Sequence, residues 1–170
     1  MIRIFLIGFM GAGKTTFGKQ LASNLGLSFI DTDVYIENRY HKTVSSLFAE
    51  KGESEFRILE RKILEEISKI EDVVIATGGG MPCFYDNIDY MNSKGITIFM
   101  QVSDSELAKR LYPAKSNRPL LMNKDYDEIL SFVSSMLTKR LPFYLKAQYT
   151  VDASGNKVVD RMAEICTKID

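Results

Sequence analysis

Eight residues near the start of the chain, Gly8-Phe9-Met10-Gly11-Ala12-Gly13-Lys14-Thr15, have the types and spacing to hold a chain of phosphates. Glycines let backbone N–H groups close around phosphate oxygens without Cβ clashes. A helix opening at Lys14 would add its positive N-terminal end. Lys14 can then reach the β- and γ-phosphates, and the Thr15 hydroxyl can ligate Mg²⁺. The expected nucleotide-holding stretch is Gly11, Ala12, Gly13, Lys14, Thr15 and Thr16, with ATP or GTP as ligand. The competing reading is a chance match in a glycine-rich turn; the apolar run before the loop and the helical pattern after it argue against that.

The rest of the chain narrows the class. A GTPase needs Asn-Lys-x-Asp to read guanine, but Asn123-Lys124-Asp125-Tyr126 places the acid one residue early. The only Asp-x-x-Gly, Asp152-Ala153-Ser154-Gly155, comes too late to sense a γ-phosphate. A general ATPase usually ends an apolar strand in a metal-organising acid. Here Val73-Val74-Ile75-Ala76 runs into Thr77 and then Gly78-Gly79-Gly80. The acids come earlier, at Asp31 and Asp33, which leaves a small-molecule kinase. One acid near Mg²⁺ and one near the acceptor hydroxyl is a sensible division for phosphoryl transfer. An Asp there could equally cap a helix, and the pair alone leaves both readings open.

These groups need a scaffold. Apolar runs at Ile2–Ile7, Ser28–Asp31, Val73–Ala76, Ile96–Val102 and Tyr149–Val151 suit parallel strands covered on both faces. Helical stripes run through Phe17, Leu21 and Leu25 before Gly26; Phe56, Leu59, Ile63 and Ile67; Leu107 and Leu111 after a capping box of Ser103 and Glu106; Ile129, Val133, Met136 and Leu137, limited by Pro142; and Val159, Met162, Ile165 and Ile169. The order β-α-β-α-β-α-β-α-β-α predicts an α/β fold, a five-stranded parallel sheet with helices on both faces. Two segments exceed the simple alternation. Residues 33–60 carry extra helical pattern, and residues 112–124 read as a polar, basic loop with two prolines. Insertions at the C-terminal ends of strands are where α/β enzymes place substrate sites and lids.

At 170 residues the chain is expected to form one domain. Its net charge of +0 argues against charge-driven binding to nucleic acid or an anionic membrane. Ile4–Ile7 is too short to span a bilayer. Cys83 and Cys166 form no CxxC pair and read as reduced thiols of a cytoplasmic protein. His41, the sole histidine, reads as a surface residue, and no cluster fits a structural zinc. A monomer is expected, although net charge does not decide between monomer and dimer.

In order and spacing, the strings GFMGAGKTT, FIDTD, FAEKGESEFRILE, ATGGG, RPLL and KRLPFY resemble the shikimate kinase family across residues 8–144. The resemblance implies a nucleoside-monophosphate-kinase-like fold and transfer of the ATP γ-phosphoryl group to the shikimate 3-hydroxyl. It implies catalytic roles for Lys14, Asp33 and Arg118, with Arg118 reaching the ATP phosphates from a lid. Arg57 and Arg140 would clamp the shikimate carboxylate, which suits the planar arginine fork. Periodicity alone makes Arg57 a helix-surface ion pair with Glu53 or Glu60. Glu60 would orient Arg57 and a substrate hydroxyl, and Gly79 and Gly80 would bring backbone N–H groups to the ring; the bland reading of Gly78–Gly80 is a flexible turn. Asp31 would organise Mg²⁺ through water, beside Thr15. Arg110 resembles the adenine-side arginine, and Asn156 sits where the family contacts adenine. Ala153 departs from the threonine often found in that loop, so backbone contacts would serve there.

Overall fold

The computed structural model describes residues 1–168; Ile169, placed in the last helical stripe, lies outside them. Five strands form one parallel sheet: β1 Arg3–Ile7, β2 Ser28–Asp31, β3 Val73–Ala76, β4 Ile96–Gln101 and β5 Tyr149–Asp152. Their order is β2-β3-β1-β4-β5. β1 therefore lies between β3 and β4, the point where the strand order reverses and α/β proteins open a crevice. All of β3, and all but the first residue of β1, are buried. That requires cover on both faces and explains the unbroken apolar runs.

Among the described residues, seven α-helices supply the cover: α1 Lys14–Leu25, α2 Thr32–Tyr40, α3 Val44–Ile67, α4 Asn87–Lys94, α5 Asp104–Leu111, α6 Tyr126–Tyr144 and α7 Val158–Thr167. α1 packs on β2, β3 and α7, and α5 packs on α6. Gly26 ends α1 in the left-handed region at φ 68°, and the Leu27 amide turns back to the Ala22 carbonyl. The extra pattern of residues 33–60 is α2 plus the greater part of α3, which breaks its helical path at Gly52 (φ 78°, ψ 167°). Its second half carries the Phe56, Leu59, Ile63 and Ile67 stripe, all buried.

Several local expectations need correction. Ser103 caps α5 by accepting from the Glu106 amide, but the Glu106 carboxylate turns to Arg110 Nε at 3.1 Å and closes no capping box. The complete box forms at Asp125 and Glu128, at the start of α6. Pro142 does not limit that helix, which continues to Tyr144. Pro142 lacks the N–H that would donate to the Thr138 carbonyl, and the helix runs only two residues past it. The loop at residues 112–124 contains a 3₁₀ turn, Lys115–Asn117, and is anchored by the fully buried Leu121. β1 begins one residue later than expected, β4 ends one residue sooner, and β5 extends to Asp152.

Candidate active site

The phosphate loop leaves β1 and enters α1. Gly13 stands at φ 93°, in the left-handed region, and an ideal Cβ there would come within 2.7 Å of the Phe17 ring. Only glycine allows this turn into the helix. Lys14 Nζ donates to the carbonyls of Gly8 and Phe9, each at 2.8 Å, curling over the loop. Burial lowers the Lys14 pKa to about 8; the nearby Asp33 and Asp31 charges hold it from falling further.

Asp31 caps a helix with one oxygen and meets the phosphate loop with the other. Its Oδ1 accepts from the amides of Asp33 (3.0 Å) and Val34 (3.3 Å), capping α2. Its Oδ2 accepts from the Thr15 hydroxyl at 2.6 Å. The cap therefore locks the acid in place beside the phosphate loop. Asp33, one turn-start further on, sits largely out of solvent. Burial and then the Asp31 charge push its carboxyl above the usual carboxylate range, against the pull of Lys14.

Beyond Asp33 lies the turn that follows β3, and each of its glycines makes room for a different charged side chain. A Cβ on Gly78 would meet Asp33 Oδ1 at 2.9 Å. One on Gly79 would meet Arg140 Nη1 at 3.0 Å, and one on Gly80 both terminal nitrogens of Arg57 at 2.7 Å. The turn is a bare floor on which an acid and two guanidinium groups converge. That is more specific than a flexible turn.

Arg57 is not a surface residue: it is 8% exposed and Glu60 2%. Its Nη1 donates to Glu60 Oε2 at 2.6 Å, and Glu53 lies 3.5 Å from Nη2. The Phe84 ring stands 4.1 Å from the guanidinium carbon, with Phe56 at 5.6 Å. The Arg57 Nε is buried without a partner. Burial pushes the Glu60 carboxyl up, against the opposing pull of Arg57. Arg140, reaching in from α6, lies over the Phe9 ring at 5.5 Å.

A cleft of about 370 Å³ opens over the phosphate loop. Gly11, Gly13, Lys14, Thr15, Thr16, Asp31, Asp33, Gly79 and Arg118 line it, so Arg118 shares one cleft with the phosphate loop. Thr77 and Gly78, which carried no assigned role, line it too. Arg57, Glu60, Gly80 and Arg140 stand behind its wall at Gly78 and Gly79. Arg110 is not in the cleft lining: its Nη1 donates to the Gly11 carbonyl at 3.1 Å and its Nη2 to the Ala153 carbonyl at 3.1 Å. It ties the phosphate loop to the β5–α7 loop. Asn156 is exposed on that second loop, and its carbonyl accepts from Arg161 at 3.0 Å.

A crevice at the strand-order reversal, a phosphate loop, an acid opposite it and two arginines against the neighbouring glycine turn define a P-loop small-molecule kinase. The family model described as shikimate kinase matches residues 10–170. The chain belongs to the shikimate kinase family. It is 56% identical over 153 residues to a shikimate kinase of Parabacteroides distasonis, covering 90% of this chain and 88% of that one. The crystal structure of a shikimate kinase from Bacteroides thetaiotaomicron superposes with a TM-score of 0.91 at 48% identity, covering 99% of this chain and 97% of that one. A shikimate kinase from Acinetobacter baumannii in complex with shikimate superposes at 0.83 with 32% identity, over 99% and 92% of the two chains.

Proposed function

We propose that this chain is an ATP-dependent kinase that transfers the γ-phosphoryl group to the 3-hydroxyl of shikimate, giving shikimate 3-phosphate and ADP on the route to chorismate and the aromatic amino acids. The observation that carries this reading is the bare floor at Gly78–Gly80. It brings Asp33, Arg140 and Arg57 together beside the phosphate loop, the set needed to hold a hydroxyl and a carboxylate on one small ring. Family membership supports the same acceptor.

In this reading Arg57 and Arg140 grip the carboxylate, and the ring lies across Gly79 and Gly80. Glu60 and Phe84 hold the Arg57 fork in place before the acceptor arrives, so little ordering remains to be done on binding. The acceptor oxygen attacks the γ-phosphorus while the bond to the β–γ bridging oxygen breaks. Asp33 orients the hydroxyl and receives its proton; a loose transition state asks little more of a base. Lys14 and Arg118 place positive charge on the transferring phosphoryl oxygens. The Thr15 hydroxyl and Asp31 carboxylate, 2.6 Å apart at the phosphate loop, are oxygen donors that suit Mg²⁺, and they would hold it there, Asp31 through water. When bound, it neutralises charge on the β- and γ-phosphates. Among the described residues no cluster of three acids, histidines or cysteines forms a metal cage, which accords with an ion that takes most ligands from phosphate and water.

Residues 33–60 serve as the acceptor-binding helices and residues 112–124 as the lid of a single kinase domain. Arg110 and Asn156 serve the adenine side, Arg110 by fixing the loop rather than from the cleft. Among the described residues no helix is long and apolar enough to cross a membrane. A cytoplasmic monomer without nucleic-acid or membrane partners completes the proposal.

A coupled assay of ADP release with Mg²⁺-ATP, with and without shikimate, tests it. Turnover that depends on shikimate is the expected result. Demonstrable ATP binding with no response to shikimate would discard the acceptor.

A further inference from the structure

The turn that forms the acceptor floor has no side chains of its own to hold it, and its backbone is fastened from outside. Thr32, between the two acids, is 0% exposed, and its Oγ1 accepts from the Gly78 amide at 2.9 Å. Tyr144, the last residue of α6, is also fully buried, and its hydroxyl donates to the Gly79 carbonyl at 2.7 Å. The Gly78 and Gly80 carbonyls are met by the amides of Met81 (3.1 Å) and Cys83 (3.0 Å). Among the described residues, no protein acceptor meets the amides of Gly79 and Gly80. The two donors left over are those of the floor itself.

The two fastenings come from elements already committed to the site. Thr32 follows Asp31, which is bonded to Thr15, and precedes Asp33. Its hydroxyl therefore joins the donor side of the cleft to the floor. Tyr144 lies one helical turn after Arg140 on the same face of α6, and its ring packs on Phe99 with centroids 5.1 Å apart. One helix face thus sets both Arg140 and the glycine beside which that arginine lies. An unbranched glycine turn loses more conformational freedom on ordering than any other sequence, so fixing it in advance lowers what the acceptor must order on binding.

We infer that Thr32 and Tyr144 are positioning residues for the acceptor: their buried hydroxyls fix the Gly78–Gly80 backbone so that the Gly79 and Gly80 amides stay unpaired and in place between Asp33, Arg140 and Arg57. This rests on the acceptor proposed above. Neither side chain touches the acceptor; each acts through the turn.

The test uses Tyr144→Phe and Thr32→Val, which remove each hydroxyl while keeping its shape, with Thr32→Ser as the conservative rescue. The shikimate KM rises about tenfold in each of the first two, kcat changes less than threefold, the MgATP KM is unchanged, and Thr32→Ser stays near wild type. Amide hydrogen exchange of residues 77–83 speeds up in the same two variants and not elsewhere. Wild-type shikimate KM in both, or an equal rise for MgATP, overturns the inference, even if exchange is faster. Should Tyr144→Phe fail to fold, Thr32→Val and its serine partner decide the matter alone. If wild-type protein shows no shikimate-dependent turnover, the proposed function falls, and the exchange readout still decides whether the hydroxyls hold the turn.

Discussion

The Arg57 guanidinium occupies the space in which a side chain on residue 80 would begin: both terminal nitrogens lie 2.7 Å from an ideal Cβ on Gly80. The backbone at Gly80 is ordinary, φ −84° and ψ −20°, so conformation does not demand glycine there. The space does.

Gly80→Ala is therefore expected to raise the shikimate KM at least tenfold while circular dichroism stays that of the wild type, because Arg57 must leave its place between Phe84 and Glu60. Gly26→Ala is the control. It has open space around it but stands at φ 68°, so it costs about 1 kcal/mol of stability with unchanged kinetics. An unaltered shikimate KM in Gly80→Ala would show that Arg57 does not act from this position.

The two arginines of the pocket differ in how they are held, and their alanine variants should differ too. Arg57 and Glu60 form a buried ion pair at 2.6 Å with both side chains at or below 10% exposure. Arg57→Ala leaves the Glu60 charge alone and is expected to cost about 3 kcal/mol of stability, a fall in Tm of roughly 10 °C for a chain this size. Adding Glu60→Gln should recover much of it. Arg140 has no partnered carboxylate among the described ion pairs. Arg140→Ala should weaken acceptor binding, with KM rising more than tenfold and Tm nearly kept. Equal losses of Tm in both would contradict this division.

Lys14 sets a pH dependence on nucleotide binding. In the free protein burial has lowered its pKa from 10.5 to about 8. Phosphates beside it favour the charged form and raise it again. MgATP binding should thus take up a proton above pH 8 and none near pH 6.5. Titration calorimetry in buffers of different ionisation enthalpy reads this directly; buffer-independent heat at pH 8.5 would reject it. Between pH 8 and 10.5 the unfolded chain holds more protons at this lysine than the folded one, so its contribution makes the free protein more stable as pH rises through that window. Lys14→Ala should lower kcat about a hundredfold and remove the proton uptake.

Arg118 lines the cleft from the loop at residues 112–124 and makes no ion pair among the described residues. Arg118→Ala is expected to lower kcat at least a hundredfold with melting temperature within a degree or two. Unchanged kcat would remove this residue from the transferring phosphoryl group.

What the sequence made legible was local. The phosphate loop, its flanking strand and helix and the Gly26 stop each depend on residues within one turn of one another. The two acids were legible as a pair, but not the split of Asp31 between cap and Thr15, because that depends on where β1 and β2 lie in the sheet. Arg57 looked exposed by helical period. Its burial depends on Phe84, which arrives 27 residues later on another turn. Arg110 was assigned to adenine, yet the structure spends its donors on the Gly11 and Ala153 carbonyls, a tie between segments that no spacing announces. Glu106 followed Ser103 at capping distance, but the arginine one turn along competed for it and won. Thr32 and Tyr144 were in plain view inside FIDTD and KRLPFY, and only the fold shows that both hydroxyls end on one glycine turn.

The strand order also fixes when the enzyme can first exist. Phe5 pairs with Ile75 on one side and Thr97 on the other, so the phosphate loop hangs from a strand with no neighbours until β3 and β4 have emerged. Arg118 and Arg140 come later still. On a ribosome that releases the chain N-terminus first, the phosphate-loop glycines precede both strands that restrain them, and the cleft takes its shape only once the segment bearing Arg118 has docked.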